Sequence, residues 1–339
     1  MKKSTIVKWA VGLYGVCTGI SACKIFQYAV KRRRPKGWEE ERRKQKKSWE
    51  YDAAEPGSYL EVLQKKSLWL REQRKEHVSI LSFDGLSLKG IFLPAEQTSE
   101  RVLLVVHGYQ SEGLRDFSAL TAFYHEQGYH VLMVDDRAHG ESDGTYLGFG
   151  CLDREDCYRW VHYLEDRFEG KYAIFLHGIS MGASTVLMTS SMNLPSSVKG
   201  IIADCPYTSI WEEMKYLAKR KKKTGFMLYP ALKLASKICK IVAGYEFDEC
   251  SAEEEVKHTT IPIFLIHGDE DHFVPMRMSQ EIYDSCASEK EIWIVPHAHH
   301  ADSYHVAREE YEGRVMSFME QWDPHPAKTE GEKNGKQKI

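Results

Sequence analysis

Short runs of apolar residues alternate with longer amphipathic stretches along most of this chain, and this rhythm restricts the fold more than any other feature. Six dense runs, each five or six residues long, occupy positions 101–106, 130–134, 172–176, 198–203, 261–266 and 291–295. Stretches with helical spacing lie at positions 114–127, 151–168, 183–192, 276–287 and 308–321. Continuous apolar strands separated by helices are typical of a parallel sheet covered on both faces. The sequence therefore predicts an α/β fold.

A predicted hairpin precedes this alternation. Residues 78–83 and 86–93 alternate apolar and polar side chains, and Asp84-Gly85 between them is a strong turn signal. With the six later runs, the hairpin predicts a mostly parallel sheet of eight strands, with helices on both faces.

The N-terminal segment is apolar and favours a membrane helix. Residues 9–23 carry no charge, and the apolar stretch extends over about residues 6–30 if Lys8 and Lys24 reach the lipid headgroups. This length predicts an anchor that spans a bilayer. Two other interpretations stay open. One is a cleaved signal, in which Ile20-Ser21-Ala22-Cys23 resembles a bacterial lipobox, and the other is an amphipathic helix that lies on a surface.

The charge distribution separates this N-terminus from the rest of the chain. Residues 1–48 hold 14 lysines and arginines and 3 acidic residues, a net charge of +11, and the remainder carries −14. An enzyme domain that binds nucleic acid needs a positive face, so an acidic body argues against that class and a basic segment fits anionic lipid instead. The positive-inside rule predicts a cytoplasmic hydrophilic domain, with an exported protein or lipoprotein as the alternative. Eight cysteines are too few for a disulfide scaffold in a chain of 339 residues.

Composition also predicts the domain boundaries. In order, the parts are an apolar anchor or signal-like segment (1–31), a basic linker with a lead-in helix (32–76), the α/β domain (77–322) and a disordered tail (323–339). Within the α/β domain, about residues 210–260 lack a strand pattern, which predicts a small helical lid inserted past the carboxyl end of a strand. The aromatic residues of this insertion are candidates for binding an apolar part of a substrate: Trp211, Phe226 and Tyr229.

The sharpest chemical signal is the motif Gly178-Ile179-Ser180-Met181-Gly182. It follows a predicted strand and opens a predicted helix. A serine on such a tight turn adopts a strained backbone, and the small residues two positions before and after it let the neighbouring chains approach. The hydroxyl then stands free above the sheet, beside N–H groups at the start of a helix. Ser180 is therefore a candidate nucleophile.

With its neighbours, this motif gives the chain a resemblance to the α/β-hydrolase superfamily, in particular to bacterial serine hydrolases of the esterase and prolyl-oligopeptidase-related type. The matching pieces are VVHGY at 105–109, DRAHGES at 136–142, GISMG at 178–182, IHGDEDHFVP at 266–275 and a late histidine cluster. The resemblance covers about residues 77–322. It implies the α/β-hydrolase fold and the chain order nucleophile, acid, histidine.

The acid belongs on a loop after a late strand, where it reaches the imidazole. The family pattern, in which His-Gly is followed by two residues, an Asp and then Val-Pro, selects Asp271. Asp269 is the runner-up, and its alternative role is to accept hydrogen bonds from loop amides. Asp204 is a more distant alternative, because some relatives place the acid after the preceding strand.

The histidine is harder to choose, since the cluster offers several. Relatives resemble Ala-x-His-Ala-x-Ser-Tyr, which fits residues 298–304 and selects His300. His297 and His299 then become loop or strand-end residues, and His305 lies beyond the turn. The resemblance gives His300 the role of general base for Ser180, with Asp271 orienting it.

The remaining parts of the predicted site are main-chain groups. The family places the two oxyanion donors at positions that correspond here to the N–H groups of Tyr109 and Met181. The turn at 137–140, Arg-Ala-His-Gly, resembles a structural turn of the family, and Cys205 is interpreted as a packing residue. No metal site is predicted, because the clustered histidines lack carboxylate or cysteine partners at zinc spacing. No cofactor is predicted either.

These observations predict a serine hydrolase that cleaves carboxylic esters through an acyl-enzyme, on a small-molecule ester or acyl substrate, with the N-terminal segment at a membrane and no nucleic-acid partner. The residues leave two alternatives open. One is a peptidase or thioesterase that uses the same triad, since all three reactions share a tetrahedral intermediate. The other is a membrane-associated interaction protein that reuses the fold without catalysis. The oligomeric state is not predicted.

Overall fold

A computed structural model describes residues 3–33, 59–220 and 225–324. Its central feature is a sheet of eight strands in the order β1-β2-β4-β3-β5-β6-β7-β8. The strands are β1 (Glu76–Leu81), β2 (Ser87–Leu93), β3 (Arg101–Val106), β4 (His130–Asp135), β5 (Ala173–Ile179), β6 (Val198–Asp204), β7 (Ile263–Gly268) and β8 (Lys290–Val295). Only the pairings of β1 with β2 and of β2 with β4 are antiparallel among these strands. The predicted mostly parallel sheet of eight strands is confirmed.

Helices alternate with the strands along the described chain. They are α1 (Lys3–Ile25), α2 (Tyr59–Glu72), α3 (Gly113–Glu126), α4 (Asp153–Arg167), α5 (Met181–Thr189), α6 (Ile210–Arg220), α7 (Gly225–Ala243), α8 (Ala252–Glu255), α9 (Arg277–Ser285), α10 (Ser303–Val306) and α11 (Arg308–Trp322). The buried residues form two apolar clusters, one against each face of the sheet, which is why the central strand β3 is buried at every position.

The sheet order places the predicted chemical motifs together. β3 pairs with β5, β5 with β6, and β6 with β7, all parallel, so the carboxyl ends of these four strands lie side by side at one edge. His107, Ser180, Cys205 and Asp269 come directly after those strands. In open α/β sheets this edge is where ligands bind.

The N-terminal segment packs on the α/β domain. α1 continues into a π-helical turn at Phe26–Val30, and α1 contacts α7. Val30 is fully buried, and its carbonyl accepts a hydrogen bond from the Leu147 N–H at 2.8 Å. The sequence led us to expect a membrane-spanning helix here, but none of the helices in the described residues is both long enough and apolar enough to cross a bilayer. The expected span is therefore not supported.

The segment between β6 and β7 is helical, as its lack of strand pattern indicates. It contains α6, α7 and α8. The Tyr216 hydroxyl donates to the His272 carbonyl at 3.4 Å, and the Arg220 guanidinium donates to the same oxygen. The insertion therefore lies against the loop after β7, which carries the predicted acid.

Parts of two predicted segments lie outside the described residues. These parts are residues 34–58 of the basic linker with its lead-in helix (32–76) and residues 325–339 of the tail (323–339). Asp323, with which the predicted tail begins, is buried and pairs with the Arg101 guanidinium at 2.6 Å.

Candidate active site

Ser180 lies at the junction of β5 and α5 in a strained conformation. Its φ is +55° and its ψ is −113°, a combination that non-glycine residues seldom adopt. Its main-chain N–H donates to the Asp204 carbonyl at 2.8 Å, which ties the turn to the end of β6. A Cβ at Gly178 would overlap the Gly182 carbonyl, and a Cβ at Gly182 would overlap the Val106 carbonyl. The glycines of the motif are thus required by close backbone approach.

A chain of two short hydrogen bonds joins Ser180, His300 and Asp271. The Ser180 Oγ lies 2.8 Å from His300 Nε2, and His300 Nδ1 lies 2.7 Å from Asp271 Oδ2. Because a carboxylate oxygen only accepts, Nδ1 of the neutral imidazole carries the proton and Nε2 is left to accept the serine hydroxyl. This is the tautomer in which an imidazole withdraws a proton from serine.

The Asp271 carboxylate is buried and held by four donors. Its Oδ1 accepts the main-chain N–H groups of Phe273 and Val274 at 2.8 and 2.9 Å. Its Oδ2 accepts from His300 and lies 3.2 Å from His267 Nε2. Burial alone would raise the pKa of Asp271, but the hydrogen bonds from His267 and His300 outweigh it and hold this pKa well below its ordinary value. The carboxylate therefore stays ionised beside the imidazole.

His267 is a second histidine on the carboxylate, and its tautomer follows from its partners. Its Nε2 lies 3.0 Å from the Val274 carbonyl, which only accepts, so Nε2 carries the proton. Its Nδ1 then accepts the Ser279 hydroxyl at 2.6 Å. His267 is fully buried at the end of β7 and presents an N–H to the same Asp271 oxygen that His300 binds.

The loop after β3 approaches Ser180 closely. A Cβ at Gly108 would lie 3.5 Å from the Ser180 Cβ. Gly108 N–H donates to Asp116 Oδ2 at 2.9 Å, and Gln110 N–H donates to His139 Nε2 at 3.2 Å, so the residues on both sides of Tyr109 are held. The Tyr109 main-chain N–H donates to no acceptor in the part of the chain that the structure describes. This N–H is therefore available to an external acceptor.

The other acids considered from sequence have separate partners. Asp269 Oδ1 accepts the His297 main-chain N–H at 2.7 Å, which is the loop-holding role considered for it. Asp204 is buried, and its oxygens accept the Ser303 and Tyr311 hydroxyls at 3.2 and 3.1 Å. Burial raises the pKa of Asp204 to about 6, against the lowering effect of His267 and these hydroxyls.

The other histidines of the cluster face Glu270. His297 Nδ1 lies 3.1 Å from the Glu270 carboxylate, and His299 Nδ1 donates to the Glu270 carbonyl at 3.1 Å. Both side chains are exposed. The hydrogen bond with Glu270 raises the pKa of His297. Of the cluster at 297–300, the structure brings His300 to the serine.

One group of three side chains in the described residues has the spacing of a metal site, and it overlaps the triad. It consists of Cys205, Asp271 and His300, whose ligand atoms lie within 4.8 Å of one another. Burial raises the pKa of the Cys205 thiol well above its ordinary value, so the thiol is protonated and a poor ligand. Because Asp271 and His300 already bond each other, this chemistry does not fit a resident metal ion.

Comparisons with known proteins point to serine hydrolases. A family model described as "Serine aminopeptidase, S33" matches residues 97–243, and one described as "Serine hydrolase (FSH1)" matches residues 214–307. The chain is 26% identical to the uncharacterized protein YqkD of Bacillus subtilis over 249 residues, which cover 74% of this chain and 80% of YqkD. It is 26% identical to the lysophosphatidylserine lipase ABHD12 of Danio rerio over 211 residues, which cover 58% of this chain and 50% of that protein.

A solved structure is similar to this chain over about three quarters of its length. The esterase Pf2001 of Pyrococcus furiosus superposes with a TM-score of 0.61 at 26% identity, over 74% of this chain and 92% of that one. The chain belongs to the α/β-hydrolase superfamily. The resemblance inferred from the motifs is thereby confirmed, and the protein is an α/β-hydrolase enzyme.

The candidate substrate-binding residues of this α/β-hydrolase lie on the inserted helices. Trp211 on α6 and Tyr229 on α7 pack ring against ring, with centroids 5.6 Å apart. Tyr229 is 42% exposed. Phe226 is the second residue of the helix that contains Tyr229, and its side chain lies outside the described part of the structure. Contact of these residues with a substrate stays a prediction.

Sequence reasoning did not identify His267 as a second partner of the Asp271 carboxylate in this α/β-hydrolase. A signal existed, because His267-Gly268 is one of several His-Gly pairs at strand ends. The pattern gave no reason to connect His267 with Asp271, four residues later, since that contact depends on the loop folding back over the strand end.

Gly182, in the motif around Ser180, leads to a prediction about stability. Gly182→Ala would force a Cβ into the Val106 carbonyl, and overpacking of this kind costs about 3 kcal/mol in free energy of unfolding, or roughly 6–12 °C in Tm. Gly313→Ala is the matched control, because that glycine is inside α11 with nothing within 4 Å of its added Cβ. Thermal and denaturant unfolding measure both. Gly182→Ala unfolding at the wild-type temperature would contradict the predicted overlap.

Proposed function

We propose that this α/β-hydrolase cleaves carboxylic esters through an acyl-enzyme on Ser180. In this proposal Ser180 attacks the ester carbonyl, and His300 takes the serine proton and returns it to the leaving alcohol. Asp271 keeps the imidazole in the required tautomer and stabilises the imidazolium. Water then attacks the acyl-enzyme by the same route. The observation that carries the proposal is the hydrogen-bond chain from Ser180 through His300 to Asp271, at 2.8 and 2.7 Å, on a strained strand–helix turn.

The oxyanion of the tetrahedral intermediate is proposed to bind two main-chain N–H groups. One is that of Met181, the first residue of α5, where the helix dipole also favours negative charge. The other is that of Tyr109, whose loop approaches Ser180 through Gly108. Removing one such donor typically costs about 100- to 1000-fold in kcat.

The names of the relatives support ester chemistry without settling it. The lipase ABHD12 and the esterase Pf2001 both favour an ester substrate for this chain. Amide cleavage is a second candidate, because the family model that matches residues 97–243 is described as a serine aminopeptidase. Thioester cleavage remains a third outcome of the same triad.

A substrate panel tests the proposal. Purified protein is assayed with p-nitrophenyl esters, aminoacyl p-nitroanilides and acyl thioesters under one set of conditions. Ester hydrolysis with a kcat/KM at least about 100-fold above that for the anilides is the expected result. Faster anilide than ester cleavage would overturn the ester proposal in favour of a peptidase, and activity confined to thioesters would overturn it in favour of a thioesterase.

The aromatic pair on the inserted helices leads to a prediction about acyl chain length. If Trp211 and Tyr229 line the acyl site, Trp211→Ala lowers kcat/KM for a p-nitrophenyl octanoate about 10-fold or more, because buried apolar contact is lost. For the acetate, we expect a change below about threefold. Ile241→Ala is the control, since that side chain is on α7 and 85% exposed. Equal turnover of acetate and longer acyl esters by the wild-type protein would contradict an apolar acyl site.

A further inference from the structure

The end of the N-terminal segment contacts the loop after β3, which carries the proposed oxyanion donor Tyr109. Residues 26–32, here called the N-terminal strap, comprise the π-helical turn and the two residues after it. The Tyr109 hydroxyl lies 3.2 and 3.1 Å from the carbonyls of Tyr28 and Ala29, which share its one proton. π-Helical turns are rare and concentrate at functional sites. The strap thus contacts the residue whose main-chain N–H is the second proposed oxyanion donor.

The strap also binds the turn at residues 139–142, which contacts the loop after β3. The Arg32 guanidinium donates to the carbonyls of Ser142 and Gly140, at 2.5 and 2.7 Å. This turn contains His139, whose Nε2 accepts the Gln110 N–H. Arg32 is therefore connected to the residue after Tyr109 through one buried imidazole.

The strap is firmly seated, so it acts as a fixed support. Phe26 and Val30 are buried, and the Phe26 ring contacts the Tyr146 ring with centroids 5.5 Å apart. The Arg32 N–H donates to the Thr145 carbonyl at 2.8 Å. These contacts fix the carbonyls of the strap in space before any substrate binds.

The oxyanion loop needs such support because its backbone is strained. Gln110 has a φ of +55°, and its side-chain amide donates to the Tyr109 hydroxyl at 2.9 Å. Asp116 holds the loop from one side through the Gly108 N–H. On the other side the ring of Tyr109 stacks on Phe149, with centroids 5.4 Å apart, and its hydroxyl is held by the strap.

We propose that the N-terminal strap is a positioning element of the active site, in which the carbonyls of Tyr28 and Ala29 and the guanidinium of Arg32 hold the Tyr109 N–H in place for the oxyanion. This inference rests on the proposed function for the identity of that donor. It makes residues 26–32 a support of the active site, although the α/β domain predicted from sequence begins at about residue 77.

The test uses single substitutions in the full chain. Tyr109→Phe removes the hydroxyl that binds the strap and keeps the main-chain N–H, and Arg32→Met removes the guanidinium and keeps most of the side-chain length. Tyr163→Phe is the matched control, because its hydroxyl only accepts from Arg167 on the surface of α4. For each variant, kcat and KM for a p-nitrophenyl ester are measured per active site, by titration with a fluorophosphonate, together with the Ki of a trifluoromethyl ketone. The ketone forms a hemiketal oxyanion with the serine.

We expect kcat to fall about 5- to 30-fold in both strap variants with KM unchanged, because a displaced donor acts on the transition state and less so on the bound ester. The Ki of the ketone rises by a similar factor. Tyr163→Phe leaves all three constants unchanged. Unchanged kcat per active site in Tyr109→Phe and Arg32→Met would overturn the proposal, and so would a rise in KM alone, which indicates ground-state binding.

Hydrogen–deuterium exchange separates this inference from the proposed function. Both strap variants are expected to accelerate exchange in a peptide that covers residues 107–112, while the control does not. A wild-type protein that hydrolyses no ester would defeat the proposed function, and exchange would then decide the strap alone. Unchanged exchange at 107–112 would contradict the positioning role whether or not the protein is an esterase.

Discussion

Ser180→Ala is expected to lower kcat/KM for an activated ester by about 10⁴- to 10⁶-fold, since the covalent route disappears and binding alone remains. The substitution removes the atom that lies 2.8 Å from His300 Nε2 and leaves the turn glycines in place. Ester hydrolysis is measured with p-nitrophenyl acetate against a buffer blank. The fold is monitored by thermal unfolding, because loss of activity has this meaning only in a folded protein.

A matched control accompanies this substitution. Ser285→Ala removes a serine hydroxyl far from Ser180 in sequence, at the end of α9. The Ser285 Oγ makes a long contact of 3.4 Å with Glu253. It is expected to retain wild-type turnover. Ser180→Ala that keeps near-native turnover would contradict the assignment of the nucleophile and, with it, the whole proposed mechanism.

Asp271→Asn is expected to lower kcat about 10⁴-fold at neutral pH. It also lowers the free energy of unfolding, because the ionised carboxylate that His267 and His300 stabilise is lost and the new NH₂ meets the His267 N–H. The reason for the loss of kcat is geometric. Oδ1 of residue 271 already accepts the N–H groups of Phe273 and Val274, so an asparagine must keep its carbonyl there. Its NH₂ then takes the place of Oδ2 and faces His300 Nδ1. The imidazole is forced to carry its proton on Nε2, where it cannot accept the proton of Ser180.

The runner-up acids supply the controls for this prediction. Asp269→Asn keeps the turn oxygen that accepts the His297 N–H, and we expect its kcat to stay within about threefold of wild type. Asp204→Asn tests the more distant alternative. A large loss in either of these, with Asp271→Asn close to wild type, would move the acid of the triad to another residue.

The strands of this protein were predictable because both faces of the sheet are covered. β3 is buried at every position, so its sequence RVLLVV carries no polar position after Arg101. The ends were less predictable. The run at 172–176 ends before His177, yet β5 continues to Ile179, because its main chain pairs with Val106 of β3 and Asp204 of β6 at Gly178 and Ile179. Backbone pairing of this kind leaves no mark in hydrophobicity.

The sequence predicted which motifs form the candidate site, but it did not by itself decide which of several neighbouring residues takes each role. The tight turn at Ser180 was predictable from local sequence, since the strand, the glycines and the helix that form it are adjacent in the chain. Asp269 and Asp271 share one loop, so the residues alone left the acid open and the resemblance selected Asp271. The structure brings the Asp271 carboxylate to His300 and the Asp269 carboxylate to the His297 N–H. Which carboxylate reaches the imidazole depends on how the loop folds back on β7.

The contacts of the N-terminal segment were beyond sequence reasoning. Its apolar residues predicted a membrane helix, whereas Phe26 and Val30 are buried against the domain. Their partners Tyr146 and Leu147 lie more than 100 positions later in the chain, within a loop that has no regular pattern. A membrane-spanning helix and an apolar segment packed on a domain can have the same composition. Only the tertiary contacts distinguish them.

Fluorophosphonate labelling with peptide mapping tests the central claim most directly. The reagent phosphonylates a serine only where a neighbouring base activates the hydroxyl, so the modified peptide identifies the nucleophile. The account predicts stoichiometric modification of the wild-type chain on Ser180, and loss of that adduct in the Asp271→Asn and His300→Gln variants at matched exposure. A folded wild-type protein that stays unmodified, or that carries the adduct on another residue, would contradict it.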